Sequence, residues 1–248
     1  MTLRRLLLTS MLVSGFAFPA MAEDFTKEQI EAIIHDYILK NPQVLIDSVN
    51  NYERDNRSKE EEKAIKLIKE NADWLYKNKI HQEAGNPKGK TTIVEFFDYN
   101  CGYCKQAVND MLTLIDEDKD LRLIFVEIPI LGDSSVEAAK WALAAGKQDQ
   151  YLEYHIALMR HKGSINAAQL EDYAKKVGLD VERLKKDMKD PKIQQTLDEN
   201  LGMARLFGVT GTPAFIVGGD VFIRGYVGVD GMRQAIKDTR VKAATKKD

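Results

Sequence analysis

The sequence predicts an α/β fold with an all-helical domain inserted into it, preceded by an N-terminal helical segment. Three observations carry this. Short runs rich in β-branched and aromatic residues, at positions 91–97, 121–128, 214–217 and 221–226, read as strands. Between the second and third lies a block of about seventy residues whose apolar positions follow the helical period alone. A C-x-x-C pair, Cys101 and Cys104, falls between the first strand and the helix that follows it.

Residues 1–22 differ in character from the rest. Arg4 and Arg5 give a positive start, residues 6–18 are apolar and uncharged, and Ala20-Met21-Ala22 fits a small-x-small cleavage pattern. A cleavable export signal is expected, the alternative being an uncleaved anchor. Residues 23–80 then form a helical segment. Thr26-x-x-Gln29 is a capping box, followed by Ile30, Ile33, Ile34, Tyr37 and Ile38 at helical spacing. Asn41-Pro42 ends that helix and starts another, with Asn41 the expected N-cap and Pro42 in the first turn. Val44, Leu45, Val49 and Tyr52 extend the apolar face. Residues 53–63 are charged or polar throughout, and Ala64, Ile65, Leu67, Ile68, Trp74 and Leu75 resume the pattern. A short amphipathic helix pair cannot bury its own stripe. It packs either on the following domain or on another copy, and the charged spacer favours self-association into a homodimer or trimer.

Gly85-Asn86-Pro87-Lys88-Gly89 is a loop that opens the α/β body. After the strand at 91–97, a helix is expected from Cys101 to about 117, with Val108, Met111, Leu112 and Ile115 on one face. The strand at 121–128 stops at Pro129. Residues 134–207 are helical, with breaks near Gly146, Lys162-Gly163, Gly178 and Asp190-Pro191. The last two strands flank Gly218-Gly219-Asp220, a hairpin signal, and lead to a closing helix from 230 to about 239. One domain therefore comprises residues 81–130 and 208–248, with residues 131–207 inserted.

Of 248 residues, 44% are apolar and 30% charged, enough for one sizeable core or two smaller ones. A formal net charge of −2 gives no sign of a nucleic-acid partner or an anionic membrane surface. Two cysteines alone cannot complete a four-ligand zinc site. His35, His81, His155 and His161 are scattered without ligand spacing and read as surface or boundary residues. A structural staple between residues three apart would remove little unfolded-chain entropy. Redox chemistry remains, with no metal and no cofactor. At a strand–helix junction the free amides and the helix dipole stabilise a thiolate at Cys101, while Cys104, one turn further in, lies deeper. Cys101 is then the nucleophile, and Cys104 resolves the mixed disulfide.

Two further residues are candidates for the same site. Pro213 directly precedes a strand, where a proline needs a reason. A cis Thr212–Pro213 bond would supply one by turning the backbone of Thr212 towards the thiols, and an ordinary trans proline at a strand start is the alternative. Glu95 stands in the middle of Ile93-Val94-Glu95-Phe96-Phe97. Buried there its pKa would be raised, and it could handle the proton of Cys104; on an edge strand it would instead face solvent.

The run Phe96-Phe97-Asp98-Tyr99-Asn100-Cys101-Gly102-Tyr103-Cys104, together with Gly211-Thr212-Pro213, resembles the thioredoxin fold of the DsbA-like family, over residues 80–242. The resemblance implies Cys101 as nucleophile, Cys104 as resolving thiol, Pro213 as the cis proline and Glu95 as the buried acid. The stretches Phe25-Thr26-Lys27-Glu28-Gln29-Ile30 and Asn41-Pro42-Gln43-Val44-Leu45 resemble the ScsC-type branch, whose N-terminal segment implies oligomers and disulfide isomerisation. The dipeptide Gly102-Tyr103 departs from the Pro-His of the best-known DsbA, so no imidazole helps the thiolate and a weaker oxidant is implied.

The expected activity is disulfide exchange with exported proteins in the periplasm, leaning to isomerisation. A DsbB-like or DsbD-like membrane partner would reset the thiols. The alternative is a copper-binding redox or holding protein, since two thiolates suit Cu(I).

Overall fold

The computed structural model describes residues 25–245, so the expected export signal lies outside the described residues. The chain divides into two compact units between Asp55 and Asn56.

In the first unit, α1 (Lys27–Lys40) opens on a reciprocal cap. The Gln29 amide donates to Thr26 Oγ1 at 3.3 Å and the Thr26 amide to Gln29 Oε1 at 2.9 Å. Asn41 corrects the expectation placed on it. Its side-chain amide donates back to the Tyr37 carbonyl at 2.9 Å and its backbone amide reaches Tyr37 and Ile38, so it closes α1. α2 (Gln43–Glu70) begins just after Pro42. No residue of α1 is buried, and Ile33, Ile34, Tyr37, Val49 and Tyr52 are each more than half exposed.

The second unit takes the last turns of α2, so the expected boundary near residue 80 does not hold. Ala64 and Ile68 of α2, one helical turn apart, and Leu75 of α3 (Ala72–Lys77) are buried with Val94, Phe96, Ile124, Phe207 and Ile216. Once the charged stretch ends, this stripe has an apolar sheet face to bury against. Among the described residues no helix is long and apolar enough to cross a membrane.

Among the described residues five strands form one sheet in the order β1-β3-β2-β4-β5: β1 (Gln82–Gly85), β2 (Thr91–Phe97), β3 (Leu121–Glu127), β4 (Ala214–Val217) and β5 (Val221–Arg224). β2 and β3 run parallel; the other pairs are antiparallel. β1 was not legible in the sequence, because four residues with one apolar side chain show no alternation. It is an edge strand, tied to β3 by the Arg122–Glu83 ion pair. Gly85 turns out of it at φ +75, where an added Cβ would stand 2.7 Å from the Leu121 carbonyl.

The strand period of two decides what faces the site. Val94 and Phe96 point to the side covered by α2 and α3, whereas Ile93 and Phe97 join the core with α4 (Gly102–Glu117). Glu95 has the same parity as Ile93 and Phe97. It is paired in register with Phe125 on one side and Phe215 on the other.

Between β3 and β4 run α5 (Asp133–Gly146), α6 (Tyr151–Met159), α7 (Ala167–Lys176), α8 (Val181–Asp187) and α9 (Pro191–Leu206), and the four expected breaks fall at their ends. Trp141, Tyr154, Leu170, Leu184 and Leu197 of these helices share one apolar cluster with Phe97, Met111 and Phe215. α10 (Gly228–Thr245) closes this face through Met232 and Ile236. His81 and His155 are buried, against their expected place at the surface. Burial lowers their pKa values to about 4 and about 3, so both stay neutral.

Ile68→Ala should destabilise the protein by about 2–5 kcal/mol in a denaturant titration, through the cavity it leaves between α2 and the sheet. A loss below about 0.5 kcal/mol, the range of surface changes, would show that this turn is not part of the core.

Candidate active site

Cys101 caps α4. It sits at φ −76, ψ 117, and its Sγ accepts the Cys104 amide at 3.3 Å. The chain reaches this point because β2 is too apolar to end in solvent and Asp98 stops it. Buried Asp98 accepts from the amides of Ile130 (2.8 Å), Leu131 (2.9 Å) and Asn100 (2.7 Å) and from Ser135 Oγ (2.7 Å). Asn100, next to Cys101, donates to Ser134 Oγ at 2.7 Å and Ser135 Oγ at 2.9 Å, and its Oδ1 accepts the Ile165 amide at 3.1 Å. Two elements of the helical insertion thereby fix the residue before the thiol. Neither Asp98 nor Asn100 stood out as a site residue in the sequence. The available signal was polar residues placed between a buried strand and a helix.

The two thiols are unequal. Cys101 is 6% exposed and Cys104 is fully buried. The pKa of Cys101 falls to about 6, because the Cys104 thiol, the Thr212 side chain and the Tyr103 and Cys104 amides all favour its thiolate against the cost of burial. Cys104 moves strongly the other way. Burial leads, followed by the hydrogen bond to Cys101 and the charge of Glu95.

The remaining candidates converge on the same place. The Thr212–Pro213 bond is cis, and the Cys101 thiol donates to the Thr212 carbonyl at 3.2 Å. Pro213 is held in turn by the Gly225 amide, which donates to its carbonyl at 2.9 Å. Glu95 is 1% exposed, on the sheet face that α4 covers. Burial first, and the Cys101 charge second, raise its pKa to about 8.

Beside them lies a buried polar cluster that the sequence did not disclose. Glu127 accepts from Tyr151 Oη at 2.8 Å, and Tyr99 Oη lies 3.1 Å from Glu127 and 3.0 Å from His155 Nδ1. Burial pushes the Glu127 carboxyl well above its ordinary range, while the hydrogen bonds from Tyr151 and Tyr99 favour its charged form. At the surface, Tyr103 is 61% exposed and stacks on Tyr226, with Ile130, Leu131 and Val227 also exposed.

Comparison with known proteins agrees with the fold. The family model described as DSBA-like thioredoxin domain matches residues 92–237, and that of the copper resistance protein ScsC N-terminal domain matches residues 27–58. The chain is 39% identical to a thioredoxin-like oxidoreductase from Silicibacter pomeroyi, with a TM-score of 0.66 over 68% of this chain and 96% of the other. It is 26% identical to Proteus mirabilis ScsC in a compact conformation, with a TM-score of 0.67 over 87% and 99%. Among curated relatives, the Na(+)/H(+) antiporter NhaA 1 of Salinispora arenicola is 31% identical over 137 residues. Those are 54% of this chain but 21% of the antiporter, so the chain spans about a fifth of that relative's length. The chain belongs to the DSBA-like thioredoxin domain family, in the form that also carries an ScsC N-terminal domain.

Proposed function

We propose that the protein exchanges disulfides with exported polypeptides, with Cys101 attacking and Cys104 resolving. The observation that carries this reading is the unequal pair at the start of α4. One thiol has a pKa near 6 and faces Thr212; the other is buried, firmly protonated and coupled to Glu95.

In the reducing direction the Cys101 thiolate attacks a client sulfur. A Cys101–client disulfide forms, the client disulfide breaks and one client thiolate leaves. Cys104 then gives up its proton and attacks Cys101 Sγ. The Cys101–Cys104 disulfide closes and the second client thiolate is released. Oxidation of a client dithiol runs the same steps backwards. Glu95 is the acceptor of the Cys104 proton. While Cys101 is a thiolate its charge helps keep Glu95 protonated. Once Cys101 is tied up in the mixed disulfide that charge is gone, the pKa of Glu95 falls towards neutrality, and a carboxylate is present when Cys104 needs a base.

Isomerisation is the favoured direction. The exposed apolar stripe of α1 and early α2 supports a homodimer or homotrimer, in which several sites can engage one misfolded client. The pattern of residues 1–22 supports export to an oxidising compartment, where a membrane redox partner resets the thiols.

Alkylation of reduced Cys101 by iodoacetamide should rise with pH through about 6 and level off by about pH 8, because only the thiolate reacts. An unperturbed thiol, near 9.0, would still be climbing there. Glu95→Gln should slow decay of the mixed disulfide about 10–100-fold in rapid-quench measurements while sparing its formation.

The full chain should refold a scrambled multi-disulfide protein and oxidise a reduced one, and Cys101→Ala should abolish both. Removing residues 23–55, which leaves Ile68 and Leu75 in place, should give a monomer by equilibrium sedimentation that oxidises but no longer isomerises. Activity in Cys101→Ala would refute the exchange, and a monomeric full chain would remove the basis for isomerisation.

A further inference from the structure

Arg224 ends β5, beside the backbone that the nucleophile touches. It pairs in register with Ala214, and the next residue, Gly225, donates to Pro213. Thr212, whose carbonyl meets the Cys101 thiol, is two residues before Ala214, or roughly 7 Å along the strand direction. A client segment lying along this loop therefore passes the guanidinium.

The guanidinium is built into the structure. Its Cζ stands 4.1 Å over the ring of Phe222, which is 6% exposed and so a firm platform. Stacking occupies one face and leaves the in-plane N–H groups free for a carboxylate. Gly208 lies alongside it, where an added Cβ would stand 3.7 Å from Nη2, an ordinary van der Waals contact. Among the described residues Arg224 has no carboxylate within ion-pair distance, and neither do Arg205 or Lys63.

Two cavities meet at this side chain. One, of about 200 Å³, runs along Thr210, Gly211, Thr212 and Pro213. The other, of about 410 Å³, contains Lys63, Arg205 and Glu60. Thr210 and Arg224 line both. Three cations face a single carboxylate, in a chain whose net charge is −2.

We propose that Arg224, backed by Arg205 and Lys63, is an anion subsite that selects client segments carrying Asp or Glu a few residues from the reacting cysteine. The idea rests on the exchange reaction proposed above and adds a charge preference to it. A bidentate Arg–carboxylate contact beside the Thr212–Pro213 loop speeds capture and orients the client sulfur.

The test uses reduced wild-type protein and peptides whose single cysteine carries a 2-thiopyridyl group. The peptides are identical except for Glu, Gln or Lys two to four residues to either side of the cysteine. Attack by the Cys101 thiolate breaks the peptide–thiopyridyl disulfide, forms the Cys101–peptide disulfide and releases 2-thiopyridone, which is followed by stopped-flow absorbance. The Glu peptide should react about 5–10 times faster than the Gln peptide at low ionic strength, and salt should erase the difference. Arg224→Gln should bring the Glu/Gln ratio to about 1, Arg224→Glu should invert it, and Arg205→Gln should lower it by a smaller factor. Circular dichroism and the Gln-peptide rate of each variant give the reference for folding and for the thiol. A wild-type ratio of about 1, or a ratio that survives both Arg224 substitutions, would overturn the subsite. If no peptide releases 2-thiopyridone, the exchange reaction itself fails; equal release from all three peptides overturns the charge preference alone.

Discussion

The cap that Cys101 makes at the start of α4 is the contact on which the other features of the site depend. An N-cap side chain must accept backbone amides that the first turn cannot satisfy, and serine, threonine or aspartate ordinarily does this. Here a sulfur does it, through the Cys104 amide. A thiolate is a better acceptor than a thiol, so the helix start and the ionised Cys101 stabilise one another. The same arrangement puts Cys104 one turn further in, where burial holds its proton. The inequality between the two thiols, on which their proposed roles rest, is thus a consequence of helix geometry. It requires no imidazole between the cysteines.

Holding that cap in place takes polar groups in an apolar setting. Asp98 and Asn100 satisfy the backbone between β2 and α4 and tie it to α5 and to the loop before α7. Glu127, Tyr99, Tyr151 and His155 meet one another's needs beside it. An unpaired buried donor or acceptor costs about 1–3 kcal/mol, so such groups persist where they are mutually satisfied and where precise placement matters. The inserted helices do more than cover the sheet, since they supply half of this bracing. Glu95 stands apart from this network. Lying between Phe125 and Phe215, it is raised into the range in which a carboxyl can exchange protons at neutral pH.

Much of this was legible in the sequence. The β-branched strand run, the C-x-x-C after it and the Thr212-Pro213 pair before β4 are local patterns, and local patterns survive into the structure. The parity of Glu95 with Ile93 and Phe97 followed from the strand period, although only the sheet order showed that β2 is central. What escaped depends on partners far along the chain. β1 is defined by β3 and not by its own residues. Ile68 and Leu75 continue the amphipathic pattern of the first helices but are buried because a sheet face meets them. His155 gives no sign of burial until Tyr99 and Glu127, distant in sequence, are brought against it. Asn41 illustrates a local tie: it sits between two helices, and its side chain serves the first while its carbonyl accepts the Val44 amide of the second.

The central claim is that Cys101 forms a covalent mixed disulfide which Cys104 alone resolves. The direct measurement is mass spectrometry of Cys104→Ser after incubation with a disulfide-bonded client, with peptide mapping of the adduct. The account predicts a stable one-to-one adduct on Cys101, cleaved by a reducing agent and absent when Cys101 is also changed to Ala. Client disulfides reduced or rearranged by wild-type protein, with no adduct accumulating on Cys101 in the Cys104→Ser protein, would contradict it.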